Sequence, residues 1–99
     1  MYKKINLDTI KTINLFDMFE NYFSMEYIKK KSSKYGRLYK SSWGKYWVRY
    51  DYKTGKYFYV NLTNDSDKGT LIDFIQNNII REKNIGKVIK YLKENNIIQ

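Results

Sequence analysis

Residues 45–62 constrain the fold more than any other stretch. Tyr46, Val48 and Tyr50 alternate with Lys45, Trp47, Arg49 and Asp51, the period-two pattern of a half-buried strand. The turn Tyr52-Lys53-Thr54-Gly55-Lys56 follows, and Gly55 supplies the positive φ that a short hairpin loop needs. Tyr57 to Leu62, rich in aromatic and β-branched residues, then returns as the antiparallel partner. If Tyr46, Val48 and Tyr50 point to the core, Lys45, Trp47 and Arg49 form an outer stripe.

The flanking segments add helices. Leu7 to Lys11 reads as a short helical turn behind Asn6. A helix over about Leu15 to Tyr22 follows Asn14, with Asp17 three residues on as a weak capping box. Met25 to Lys31 opens a first strand, Ser32 to Gly36 turns, and Arg37 to Lys40 gives a short second strand before the loop at Ser41, Ser42 and Gly44. Thr63 to Gly69 reads as a polar loop, and Thr70 caps a helix carrying Leu71, Ile72, Phe74 and Ile75. Ile85, Val88, Ile89 and Leu92 mark a last helix, whose start Gly86 is expected to delay at a cost of up to about 1 kcal/mol. The expected fold class is α+β: a small antiparallel β-sheet of 3–4 strands over about 25–62, flanked by an N-terminal helix at about 7–22 and two C-terminal helices at about 70–79 and 86–95. We expect one domain over 1–99, with no internal repeat and no linker.

Charge is concentrated in the same region. Of the 19 Lys and Arg residues, ten lie between Tyr27 and Val60, against Asp51 alone, so the local charge equals the +9 of the whole chain. Eleven of the 18 aromatic residues are there too. Pro and Ala are absent while Lys, Asn, Ile and Tyr are abundant, as in an AT-rich genome. Codon bias raises the lysine total, but it does not clear one segment of acids.

The chain has no Cys and no His, which excludes disulfides, thiolate nucleophiles, imidazole bases and the usual zinc ligands. No nucleophile elbow or Gly-rich phosphate loop is present, and we expect no enzyme and no cofactor. Asp65, Asp67 and Asp73 are the one acid cluster; they suit helix capping and a solvated loop better than a metal, because the glycine bend and distal Glu of a calcium loop are missing. The basic start MYKKI precedes no apolar run of signal-peptide or membrane-spanning kind, so a cytoplasmic protein without membrane contact is expected.

Tyr46-Trp47-Val48, Tyr57-Phe58-Tyr59-Val60 and Lys68-Gly69-Thr70-Leu71-Ile72-Asp73-Phe74, in this order of elements, resemble the primase-type zinc-ribbon domain of bacterial DNA primases. The likeness is nearer to the degenerate, metal-free versions in plasmid, phage and transposon proteins, and it spans roughly Ile13 to Phe74. It departs from the family in lacking the Cys and His ligands, and Gly44-Lys45 stands where the family has Pro-Ser. What the resemblance implies is a ribbon that faces nucleic acid without a polymerising site. Aromatic packing would then replace the folding contribution of the metal.

Cations interleaved with aromatic residues suit a single-stranded polyanion, since phosphates need charge and bases need flat faces. The candidate contacts are Lys29, Lys30, Lys31, Lys34, Arg37, Lys40, Trp43, Lys45, Trp47, Arg49, Lys53 and Lys56. Tyr46, Tyr50, Tyr57 and Tyr59 belong to the same interleaved set, but aromatic residues on a small sheet are more often core or cross-strand pairs. Two readings stay open. One is a DNA- or RNA-binding module of a phage or mobile element. The other is a phage-type inhibitor, such as an anti-CRISPR protein, that engages a host RNA-guided nuclease or its guide RNA.

Overall fold

Asparagine caps start the first two helices among the described residues. The computed structural model describes residues 6–98, so the basic start at 1–5 lies outside the described residues. Asn6 Oδ1 accepts from Asp8 N–H at 2.9 Å ahead of α1 (Leu7–Lys11), and Asn14 Oδ1 accepts from Asp17 N–H at 3.1 Å ahead of α2 (Leu15–Asp17). α2 widens at once into a π-helical turn, Met18–Tyr22, closed by Phe23 N–H to Met18 O at 2.8 Å. α3 (Leu71–Phe74) does the same through Ile75–Ile79, closed by Ile80 N–H to Ile75 O at 2.9 Å. Each of the two ends on a left-handed residue, Ser24 or Arg81. Asn14-Leu15-Phe16-Asp17-Met18-Phe19 and Thr70-Leu71-Ile72-Asp73-Phe74-Ile75 therefore share cap, apolar spacing and C-terminal turn.

Between these helices lies one antiparallel meander in the order β1-β2-β3-β4-β5. Its strands are β1 (Glu26–Tyr27), β2 (Arg37–Ser41), β3 (Gly44–Asp51), β4 (Lys56–Asn61) and β5 (Asn64–Gly69). The α+β class stands, with five strands among the described residues rather than three or four. Two segments differ from expectation. Lys29–Lys31 leaves the sheet as a 3₁₀ turn, so the first strand is shorter. Thr63 to Gly69 is mostly strand rather than loop, because Asp67 is buried and holds β5 against the helices. The final helix, α4 (Ile85–Glu94), starts on time despite Gly86, with Asn84 Oδ1 accepting from Lys87 N–H at 3.1 Å.

Register decides the faces. Tyr39 pairs with Tyr46, Val48 with Tyr59 and Tyr50 with Tyr57, which puts all of them on one side. That side carries the core. Phe19 sits at its centre, with ring centroids 4.7 Å from Phe74, 5.6 Å from Tyr39 and 5.8 Å from Tyr46. Aromatic rings prefer such edge-on and tilted contacts, and each pair adds about 0.5–1.5 kcal/mol beyond its buried area. Ile10, Leu15, Leu71, Ile75, Val88 and Leu92 complete the same cluster from the helices. Among the described residues, no helix is long and apolar enough to cross a membrane.

Candidate nucleic-acid interface

With the helices on the inner face, the alternation of β3 presents the other set of side chains outward. Leu38, Trp47, Val60 and Lys68 line up across β2 to β5 by direct pairing, and Arg49 stands opposite Phe58. Trp47, Arg49, Phe58, Val60, Lys68 and Gly69 line a groove of about 370 Å³. Its apolar members stay half-exposed and outside the core cluster. The Arg49 guanidinium lies 4.9 Å from the Phe58 ring centroid, a cation–π contact that keeps its charge at the rim of the groove. Lys40 and Lys45 are paired across strands and exposed on the same face. Glu26, opposite Lys40, is the acid at that margin, and Asp51 closes the far end of β3.

Trp47 is held from behind. The turn at 33–36 is closed by Ser33 N–H to Gly36 O at 2.9 Å, and Leu38 N–H donates to Ser32 Oγ at 2.9 Å. This brings the Gly36 backbone against the indole, where a β-carbon on Gly36 would lie 2.5 Å from Trp47 Cε2. The indole thus has one flank on backbone and another open to the groove.

Lys68 owes its position to a buried polar network on the opposite side of β5. The Asp67 carboxylate, 7% exposed, accepts from the Tyr59 hydroxyl, from Asn61 Nδ2 at 3.2 Å, Asn77 Nδ2 at 3.0 Å and Asn78 Nδ2 at 2.9 Å. Asn78 in turn accepts from the Tyr46 hydroxyl at 3.0 Å. Burial pushes the Asp67 carboxyl up, but the hydrogen bonds from Tyr59, Asn78, Asn61 and Asn77 outweigh it and hold the group below its ordinary value. Burial, with the Asp67 contact second, raises the Tyr59 hydroxyl well above the usual phenol range.

The acid cluster is dispersed among separate tasks. Asp73 Oδ2 accepts from Thr70 N–H at 2.8 Å, completing the capping box of α3. Gly69 is needed there: its φ is 135°, and a β-carbon would collide with the Asp73 carboxylate. Asp65 is exposed, and Asp67 is neither solvated nor in a loop. Among the described residues, no group of three metal-ligating side chains occurs.

The twelve residues singled out from sequence do not form one surface. Lys40, Lys45, Trp47 and Arg49 share the outer face, while Lys29, Lys30 and Lys31 project from the 3₁₀ turn. Trp43 tips the β2–β3 turn at 52% exposure; Lys34 and Lys53 sit in separate exposed turns. Two are already engaged elsewhere. Arg37 Nη1 donates to Glu20 Oε2 at 3.0 Å, and its guanidinium lies 4.5 Å from Phe16 and 5.2 Å from Tyr27. It is a core-side clamp, since Glu20 also accepts from the Tyr39 hydroxyl at 2.6 Å. Lys56 Nζ lies 3.4 Å from Asp8 Oδ1. Phe58, Val60 and Lys68 were missed. Carrying the hairpin alternation across the turn would have found the first two, whereas Lys68 needed the strand that Asp67 creates. Comparison with protein-family models, with curated proteins and with solved structures finds no match.

Proposed function

We propose that this chain binds single-stranded nucleic acid across the outer face of its sheet, as a metal-free relative of the primase-type ribbon serving a phage or mobile element. The observation that carries the reading is the helix-free groove in which Trp47, Phe58 and Val60 are bordered by Arg49 and Lys68. A closed core has no use for a half-exposed tryptophan beside cations that enter no ion pair among the described residues. A strand of nucleic acid uses both, stacking a base on the indole while its phosphates meet the rim, each stacked base adding about 1–3 kcal/mol.

The face suits single strands better than duplex. Its indole comes from a central strand of the sheet, opposite Val60, rather than from a projecting helix or ribbon that enters a major groove. Duplex bases would be stacked on each other and out of reach.

The test uses the protein's two tryptophans. In a Trp43→Phe variant, Trp47 is the sole tryptophan, and titration with an unstructured oligonucleotide should quench its fluorescence saturably, with recovery on adding salt. Unchanged Trp47 emission on saturating oligonucleotide at low salt contradicts the reading and favours engagement of a protein partner, as an inhibitor of an RNA-guided nuclease would require.

A further inference from the structure

The rings on the two sides of the sheet are treated differently. On the inner side Phe19, Tyr39, Tyr46, Tyr59 and Phe74 pack on one another, whereas among the described residues no aromatic ring pairs with Trp47 or Phe58. Both line the one outer groove, half-exposed and outside the core cluster. Trp47 stands opposite Val60 and Arg49 opposite Phe58, so Phe58 is the diagonal neighbour of Trp47 on the adjoining strand. What covers Phe58 is a cation: the Arg49 guanidinium lies 4.9 Å from its ring centroid. Arg49 is exposed and enters no ion pair among the described residues.

We propose that Phe58 is a second base platform, and that the ligand of the groove is a single strand with two successive unstacked bases, one on Trp47 and the next on Phe58. The inference rests on the nucleic-acid reading above and deepens it from one stacked base to a two-base step. Diagonal neighbours on a sheet face are rooted about 7–8 Å apart, about twice the 3.4 Å that separates nucleotides along a duplex strand. Bases seated on both rings are therefore splayed, a geometry open to a single strand and closed to stacked duplex. Arg49 follows Trp47 by two residues on β3 and faces Phe58 across the ladder, so its guanidinium neighbours both base positions. In the free protein it occupies the Phe58 ring. A stacked base outweighs an exposed cation–π contact, so the second base displaces the guanidinium and frees it for the phosphate joining the two nucleotides.

The test measures anisotropy of a labelled ten-residue oligodeoxythymidylate over a range of salt with the wild type, Phe58→Leu, Trp47→Ala, the double variant and Arg49→Gln. Phe58→Leu leaves the core untouched, and its thermal melt should match the wild type. Phe58→Leu and Trp47→Ala should each weaken binding by about tenfold, and together by about a hundredfold. The slope of log K against log salt should stay unchanged in Phe58→Leu and become shallower by about 0.7 in Arg49→Gln. A Trp43→Phe/Trp47→Phe/Phe58→Trp variant moves the sole indole to position 58, where saturable quenching by the same oligonucleotide is expected. Full affinity in Phe58→Leu, or unquenched emission from position 58, overturns the second platform and leaves the Trp47 reading intact. A shallower salt slope in Phe58→Leu also overturns it, because the ring would then only position Arg49. No binding by the wild type at the lowest salt overturns both.

Discussion

Trp47 and Gly36 act as one unit. Gly36 has ordinary negative φ, so an alanine there meets no backbone penalty; the penalty is the overlap with the indole. Gly36→Ala is therefore expected to swing Trp47 out of its seat, red-shifting its emission and weakening oligonucleotide binding by about tenfold while costing about 1–3 kcal/mol of stability through overpacking. Emission and affinity identical to wild type would mean that the groove does not depend on this seat. That Trp47 lies on the face opposite Tyr46, Val48 and Tyr50 was legible in the sequence from their alternation, but which of the two faces is the outer one is decided by the core that Phe19 and Phe74 build on the tyrosines. The role of Arg37 was not legible. It sits in the same basic run, and only the arrival of Glu20 and Phe16 from a helix 17 and more residues away turns it inward.

Among the elements, β5 is the one that sequence reasoning missed, and the reason is chemical. Asn64-Asp65-Ser66-Asp67-Lys68-Gly69 has low strand propensity, and such segments pair only when context supplies what propensity does not. Here the context is the Asp67 carboxylate, reached by four neutral donors from β4 and the π-turn after α3. Asp67→Asn keeps the shape but turns an amide N–H₂ toward those donors, so it should destabilise the fold by about 2 kcal/mol at neutral pH. The acid dependence follows from the same group. Its folded pKa is lowered from the model-peptide 3.8, so its stabilisation is complete above that value and is lost as pH falls through the lower folded value. Chemical denaturation should show wild-type stability declining below about pH 4, with a shallower decline in the Asn variant. Equal stability of the two at neutral pH would show that the network contributes nothing net. The hairpin and the N-capped helices, by contrast, were legible, because Gly55, Asn6 and Asn14 act through their nearest neighbours.

Across the whole molecule, charge and packing divide the sheet. The inner face buries tyrosines against Phe19 and Phe74. The outer face keeps its cations, and within Tyr27 to Val60 only Arg37 and Lys56 pair with carboxylates among the described residues. Such a surface repels itself unless a polyanion covers it. We propose that this face binds single-stranded nucleic acid through phosphates at Lys40, Lys45, Arg49 and Lys68. The affinity of the wild type for an unstructured oligonucleotide, measured over a range of salt concentrations, tests it most directly. Four phosphate contacts predict that log K falls against log salt with a slope of about −3, at about −0.7 per contact on a single strand. A slope near zero, or no binding at the lowest salt, would contradict it.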